Sequence, residues 1–421
     1  MKKLLYVLVA LSMLVAFVPA VGAQDMTVAC DEDYVVQAAD WLSKLADKYF
    51  GDPLAYWAIF DATNAAGGDY AMIDNADSIE IGWKLCVPSA EDAQMLLAEH
   101  GAAAPAAAAG DGYSIALITK HTGNPYFDKV EVGAKEAAAE LGDTLIFQGP
   151  ATSDVAGQIE LIDALIAQGV DAIGVSANDA DALVPIGQKA MDAGIKFFSW
   201  DSGVAIEGRL VHEAAASSEQ IGRVEVQMLA EMIGYEGEIA ILSAGATMTN
   251  QNTWIEWMKK ELEDPMYANM ELVAVVYGDD DRQKSLNEAQ GLFKSYPDLK
   301  GIISPTTVGI AAAGKALTDA GLCGQVALTG LGLPSEMAEY ISGGCCDAMA
   351  LWNPIDQGYV SFFMAHNLIN GSLTPAAAET FDSGRMGQLT VVDEGDGDLT
   401  VYQGPPFQFT PDNIEMWAQV Y

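Results

Sequence analysis

The residues best placed for chemistry sit where short apolar runs stop. The run Tyr113 to Thr119 ends on Lys120 and the loop His121-Thr122-Gly123-Asn124-Pro125-Tyr126-Phe127. The run Ile195 to Trp200 ends on Asp201-Ser202, and Gly301-Ile302-Ile303 leads into Pro305-Thr306-Thr307. Asn178-Asp179, the stretch Thr247 to Trp254 and Trp352-Asn353 occupy equivalent places. Together they offer one ammonium, carboxylates, amides, hydroxyls and aromatic rings. Carboxylates and amides pair with hydroxyl groups, and aromatic faces cover the C–H side of a ring. This mixture suits recognition of a hydroxyl-rich neutral molecule. Cleaving such a molecule would need a second carboxylate beside Asp201, and no convincing partner shares the expected cleft.

Other chemistries lack their parts. The four histidines, His100, His121, His212 and His366, are scattered, and no Cys/His cluster has metal-ligand spacing. There is no His-Glu-x-x-His, Gly-x-Ser-x-Gly or Gly-Lys-Ser/Thr signature. The expectation is binding without catalysis, with no cofactor and no metal. The net charge of −39 opposes a nucleic-acid partner, because phosphate affinity comes from Lys and Arg. Such a surface also favours a soluble monomer.

The elements that must position these residues alternate regularly. Strand-like runs at 113–119, 144–148, 170–176 and 195–200 are separated by helical patterns at 128–141, 153–168 and 180–193. The rhythm restarts with a helix at 218–233 and continues through strands at 238–242, 271–276 and 301–303. Repeated βα units of this size predict parallel sheets covered by helices. Two successive halves predict two lobes around one cleft, with ligand beyond the C-terminal ends of the strands.

Upstream, Met1-Lys2-Lys3, the apolar run Leu4 to Val18 and Val21-Gly22-Ala23 predict a secretory signal over residues 1–23, hence an exported protein in the periplasm or at the cell envelope. Export permits disulfides. Of the five cysteines, Cys30 and Cys86 bracket one small segment and are placed to staple it. Cys323, Cys345 and Cys346 lie far away, and at least one must stay unpaired within the chain. His100 to Gly112, HGAAAPAAAAGDG, predicts an interdomain tether, drawn over 97–112. A small domain at 30–96 precedes it, with strand, helix, helix and strand expected in that order. YVVQAADWLSKLADKYFGDPLAYWAIFDATN followed by IEIGWKLCVPS resembles a LysM module. That resemblance implies a βααβ fold and binding to N-acetylglucosamine chains of peptidoglycan; a plain spacer is the alternative.

Residues 113–421 carry ITKHTGNPYFDKVEVGAKEAAAELG, GPATSDVAGQIELIDALIAQGVDAIGVSANDADALVP, AGIKFFSWDSGV, TNQNTWI, YPDLKGIISPTT and LWNPIDQG in that order. These stretches resemble the type I solute-binding proteins of ABC sugar importers, nearest the rhamnose- and autoinducer-2-binding branch. The resemblance implies a two-lobed fold of doubly wound parallel sheets. Lobe 1 is expected at about 113–212 and 353–386, lobe 2 at about 217–350 and 390–421, with crossovers near His212–Ser217, Leu351–Asp356 and Arg385–Thr390. Closure over a small sugar-like ligand, then delivery to membrane permease subunits, is the implied function.

The implied ligand contacts are Lys120, Asn124, Phe127, Asp201, Asn250, Gln251, Pro305, Thr307, Trp352 and Asn353. Asn250 and Thr307 stand where autoinducer-2 binders carry Asp and Ala, which favours a simple sugar such as rhamnose. Trp200 and Trp254 are expected in the core, and Asn178-Asp179 in a turn or cap. A wall-binding adhesion or sensing protein acting through the LysM-like part, and a secreted carbohydrate-active enzyme, are the competing classes.

Overall fold

Cys30–Cys86 is a disulfide, and it closes a small N-terminal module. The structure, a computed structural model, describes residues 30–37, 40–51, 55–73, 79, 81–102 and 112–421. The expected export signal and most of the tether lie outside the described residues. In the module, β1 (Cys30–Val35) pairs antiparallel with β2 (Lys84–Pro88). Between them lie α1 (Leu42–Phe50) and α2 (Tyr56–Ala66). Leu42, Leu45, Ala46, Ile59 and Leu85 form its core. The βααβ order matches expectation, but α3 (Ala90–Ala102) follows β2, so the first residues of the expected tether are helical. Ser89 caps that helix by accepting from the Asp92 amide at 3.1 Å.

Lobe 1 begins with β3 (Ser114–Ile118), α4 (Pro125–Leu141), β4 (Thr144–Gln148), α5 (Val155–Gln168), β5 (Ala172–Val175), α6 (Val184–Asp192), β6 (Lys196–Trp200) and β7 (His212–Ala214). Asn124 and Asp154 cap α4 and α5, and Gly142 and Gly169 end them in the left-handed conformation. Lobe 2 holds α7 (Ser218–Ile233), β8 (Glu236–Ser243), α8 (Thr249–Leu262), β9 (Asn269–Tyr277), α9 (Arg282–Ser295), β10 (Leu299–Ser304), α10 (Thr307–Ala320), β11 (Ala327–Gly330), α11 (Pro334–Ser342) and β12 (Met349–Leu351). Its main sheet runs β11-β10-β8-β9, all parallel.

The chain returns to lobe 1 with α12 (Pro354–Asn370), which lies across α4. The two helices touch so closely that a Cβ on Gly133 would sit 1.7 Å from the Ile355 carbonyl oxygen, and one on Gly358 1.9 Å from that of Val130. Then come β13 (Thr380–Asp382), β14 (Gln388–Asp393) and β15 (Leu399–Tyr402). These extend the first sheet to the order β13-β14-β15-β7-β6-β5-β3-β4. The chain ends with β16 (Phe407–Phe409), paired with β12, and α13 (Ile414–Trp417), packed on α11.

This pairing corrects two expected boundaries. Residues 390–402 belong to lobe 1, because β15 lies parallel to β7 with Thr400 opposite His212. The third crossover is therefore Tyr402–Phe407, not Arg385–Thr390. The first two fall at Ala214–Ser217 and Leu351–Pro354, inside the expected ranges. A second disulfide joins Cys323 to Cys345, leaving Cys346 free and buried.

Cys86→Ser is expected to lower the stability of the N-terminal module by about 2–4 kcal/mol. Faster amide exchange confined to β1, β2 and α2, with lobe 1 unchanged, is the reading to look for.

Candidate ligand-binding site

Lys120 leaves β3 and is 2% exposed. A buried ammonium needs compensation, and it comes from both lobes. Its Nζ lies 3.3 Å from Asp201 Oδ2 in lobe 1. It donates to Asn250 Oδ1 at 3.0 Å and to Gln251 Oε1 at 3.5 Å in lobe 2. Asn250 Nδ2 donates in turn to Asp201 Oδ1 at 3.3 Å. Asp201 follows the last residue of β6 with φ at +58°, a conformation Asp tolerates better than most side chains. The turn aims its carboxylate back at β5, where Ser176 Oγ donates to it at 2.5 Å.

Further bonds tie the lobes together. Thr307 Oγ1 donates to Asn124 Oδ1 at 3.3 Å, and Thr247 Oγ1 to the Asn178 carbonyl at 3.2 Å. His121 Nε2 lies 4.0 Å from Asp280 Oδ2. The lobes are therefore closed on one another. A small cavity remains between them at the strand ends.

Eight of the ten expected residues line that cavity: Lys120, Asn124, Phe127, Asp201, Gln251, Pro305, Thr307 and Trp352. Asn250 bonds Lys120 and Asp201, but lines the adjoining space instead. Asn353 does not line it. Its Oδ1 caps α12 at the Ile355 amide and its Nδ2 donates to Asp356 at 2.6 Å. Trp200 is core, 0% exposed. Trp254 is core as expected, 5% exposed, and one side of it also faces the cavity, 5.9 Å from the Trp352 ring. Tyr126, from the loop after Lys120, lines it too, as does Asp280, which no local pattern marked; Asp280 has φ at +52° and accepts from Thr306 Oγ1.

The loops are held by Gln158, also missed. From α5 its Nε2 donates to the carbonyls of Thr119 at 3.0 Å and Ser176 at 2.7 Å, and its Oε1 accepts from the Asn178 amide at 3.0 Å. Asn178 Nδ2 donates to the Lys120 carbonyl at 2.8 Å. The detectable signal was one amide on an otherwise apolar helix face beside Ile162 and Leu165.

Behind the cavity, Glu213 joins the crossovers. It is fully buried on β7 and accepts from Gln403 at 2.9 Å, Gln357 at 3.2 Å and Ser361 at 3.1 Å. Burial pushes its carboxyl up to about 7, against the opposing pull of those donors. Tyr126 and Trp352 join through Gln357, with the Trp352 indole donating to the Tyr126 hydroxyl at 2.6 Å.

Comparison with known proteins agrees with this architecture. Residues 115–373 match the family described as periplasmic binding protein domain. A solute-binding protein of an ABC transporter from Clostridium phytofermentas, solved with bound L-rhamnose, is 39% identical, with a TM-score of 0.71 over 74% of this chain and 100% of that one. A sugar ABC transporter protein from Actinomyces odontolyticus is 38% identical, with a TM-score of 0.60 over 73% of this chain and 99% of that one. LsrB of Clostridium saccharobutylicum in complex with AI-2 shares the fold at 24% identity, with a TM-score of 0.69 over 72% of this chain and 99% of that one.

A raised Glu213 pKa means the folded state holds a proton that the unfolded chain releases at lower pH. Its contribution is full below about 4.5 and is lost as pH rises through about 7. The unfolding midpoint is expected to fall more steeply from pH 5 to 8 in the native protein than in Glu213→Gln. Equal slopes would show that Glu213 is not the group responsible. With two lobes, three crossovers and a closed cleft at the strand ends, this chain belongs to the type I periplasmic binding proteins, the solute-binding family of ABC importers.

Proposed function

We propose that this chain is the extracytoplasmic binding component of an ABC importer for a small neutral sugar, with a rhamnose-type sugar ahead of autoinducer-2. The observation that carries this is the Lys120–Asp201–Asn250–Gln251 cluster, which places charged and amide groups from both lobes at one cavity. Hydroxyls of a sugar bridge such groups, and Phe127, Trp254 and Trp352 supply apolar faces. Contact with both lobes lets the ligand favour closure by its differential affinity. The closed form then docks on membrane permease subunits. Asn250 in place of a second Asp removes one negative charge and adds a donor, which supports a neutral sugar. The higher identity to the protein solved with L-rhamnose points the same way.

Among the described residues no helix is long and apolar enough to cross a membrane. The N-terminal module keeps its LysM-like reading from its sequence and βααβ order, and peptidoglycan attachment is the role proposed for it. The relatives span the large domain alone, which fits transport as the principal activity and the module as an addition.

Thermal shift against pentoses, deoxyhexoses, hexoses and autoinducer-2 tests this reading. A sugar at 100 times its Kd adds roughly 2.7 kcal/mol, and the shift should disappear in Asp201→Ala. A folded protein that no sugar stabilises, yet that pellets with peptidoglycan, would transfer the function to the module.

A further inference from the structure

A second, solvent-open chamber lies on the other side of Asp201, and Asp201, Trp254 and Trp352 line both spaces. The walls of this chamber come from both lobes. Lobe 1 contributes Arg209, His212 and Tyr402, and lobe 2 contributes Thr249, Thr253 and Trp257. The charged groups on these walls are satisfied or neutral. Arg209 Nη2 meets Asp398 at 2.5 Å, Glu219 accepts from Arg223 at 2.8 Å, and Glu394 is hydrogen-bonded to Tyr402. Burial holds His212 uncharged, with its pKa pushed down to about 3. No unpaired cation on these walls waits for an anionic ligand. Trp257 already carries cations over its ring, Lys260 Nζ at 3.8 Å and Arg223 at 5.1 Å. The Tyr402 ring and the hydroxyls of Thr249, Thr253 and Thr400 remain, and they suit another neutral polyol ring.

We propose that the site takes a neutral disaccharide or glycoside, its terminal ring beside Lys120 and its second ring in the adjoining chamber near Thr253 and Tyr402. This rests on the sugar reading above and names the size of the ligand. Titration calorimetry of the full chain with L-rhamnose and with rutinose, rhamnose linked to glucose, tests it. Rutinose should bind about tenfold more tightly, the gain of one stacked ring. Tyr402→Ala should bring the ratio of the two affinities to about one, with a melting curve checking the fold. Rhamnose bound and rutinose no tighter overturns this inference alone. Neither sugar bound by the folded protein overturns the rhamnose reading and this inference with it.

A separate observation concerns the N-terminal module. It docks where the lobes are joined. The seam is lined by Trp41, Leu42, Ser43 and Tyr56 from the module and by residues of all three crossovers, Ala215, Trp352 and Gln403 among them. Both lobes also touch it, through Met386 on one side and Trp417 on the other. Trp41 packs edge-on against Phe407 at 6.1 Å and is not part of the module's own core. Lobe rotation must change these crossovers, so the seam matches one lobe arrangement, here the closed one.

We infer that docking of the module stabilises closure. Spin labels on Asp128→Cys and Glu256→Cys, exposed positions on opposite lobes, read it in the ligand-free full chain. Trp41→Ala should add longer inter-lobe distances, and Trp41→Phe should restore the native distribution. Identical distributions in all three proteins would overturn the inference.

Discussion

A single ammonium taken out of water governs the cleft. Lys120 keeps its charge in the interior only with acceptors around it, and one lobe supplies just part of them. Asp201 is its partner within lobe 1, while Asn250 and Gln251 come from lobe 2. Removing one member of such a set leaves buried charge uncompensated, which costs far more than the set contributes when complete. Closure is thus defined by the geometry of charge compensation and not only by surface fit. The turn at Asp201, the Gln158 clamp and the Asn124 cap all hold the loops that meet at this point.

Behind it, the crossovers are coupled by a different kind of bond. Glu213 accepts from segments beside two different crossovers, through Gln357, where the chain re-enters lobe 1, and Gln403, where it leaves. The network reaches the cavity wall through Trp352 and Tyr126. Polar groups buried at a joint specify its geometry, because each displaced donor or acceptor loses a partner that water cannot replace. The joint and the ligand wall therefore share residues.

Much of this was legible in the chain. Strand and helix alternation located the elements of both lobes, since apolar period and glycine stops act locally. Strand ends then selected Lys120 and Asp201, because open α/β sheets present their C-terminal edges to a ligand. What was hidden depends on long-range pairing. No local pattern says that β15 joins β7, so the third crossover was placed too early. Asn353 looked like a ligand residue because it follows Trp352, yet the turn directs it to α12 as a cap. Trp254 is core, as a tryptophan on a helix usually is, but that its ring also reaches the cavity was not legible. Asp280 was missed because its left-handed turn brings it back to Thr306 only in three dimensions.

The placement of β15 has a consequence for the order of assembly. β7 ends at Ala214, but its outer neighbour runs from Leu399 to Tyr402, with most of lobe 2 between them. During synthesis, lobe 1 must carry an unfinished sheet edge until nearly the whole chain has been made. An exposed edge is a template for pairing with another chain, and contacts so distant in sequence form slowly. Neither lobe is a continuous piece of polypeptide that can mature first and wait. The nascent protein therefore depends on being held extended, or on finishing quickly, until its last strands are delivered.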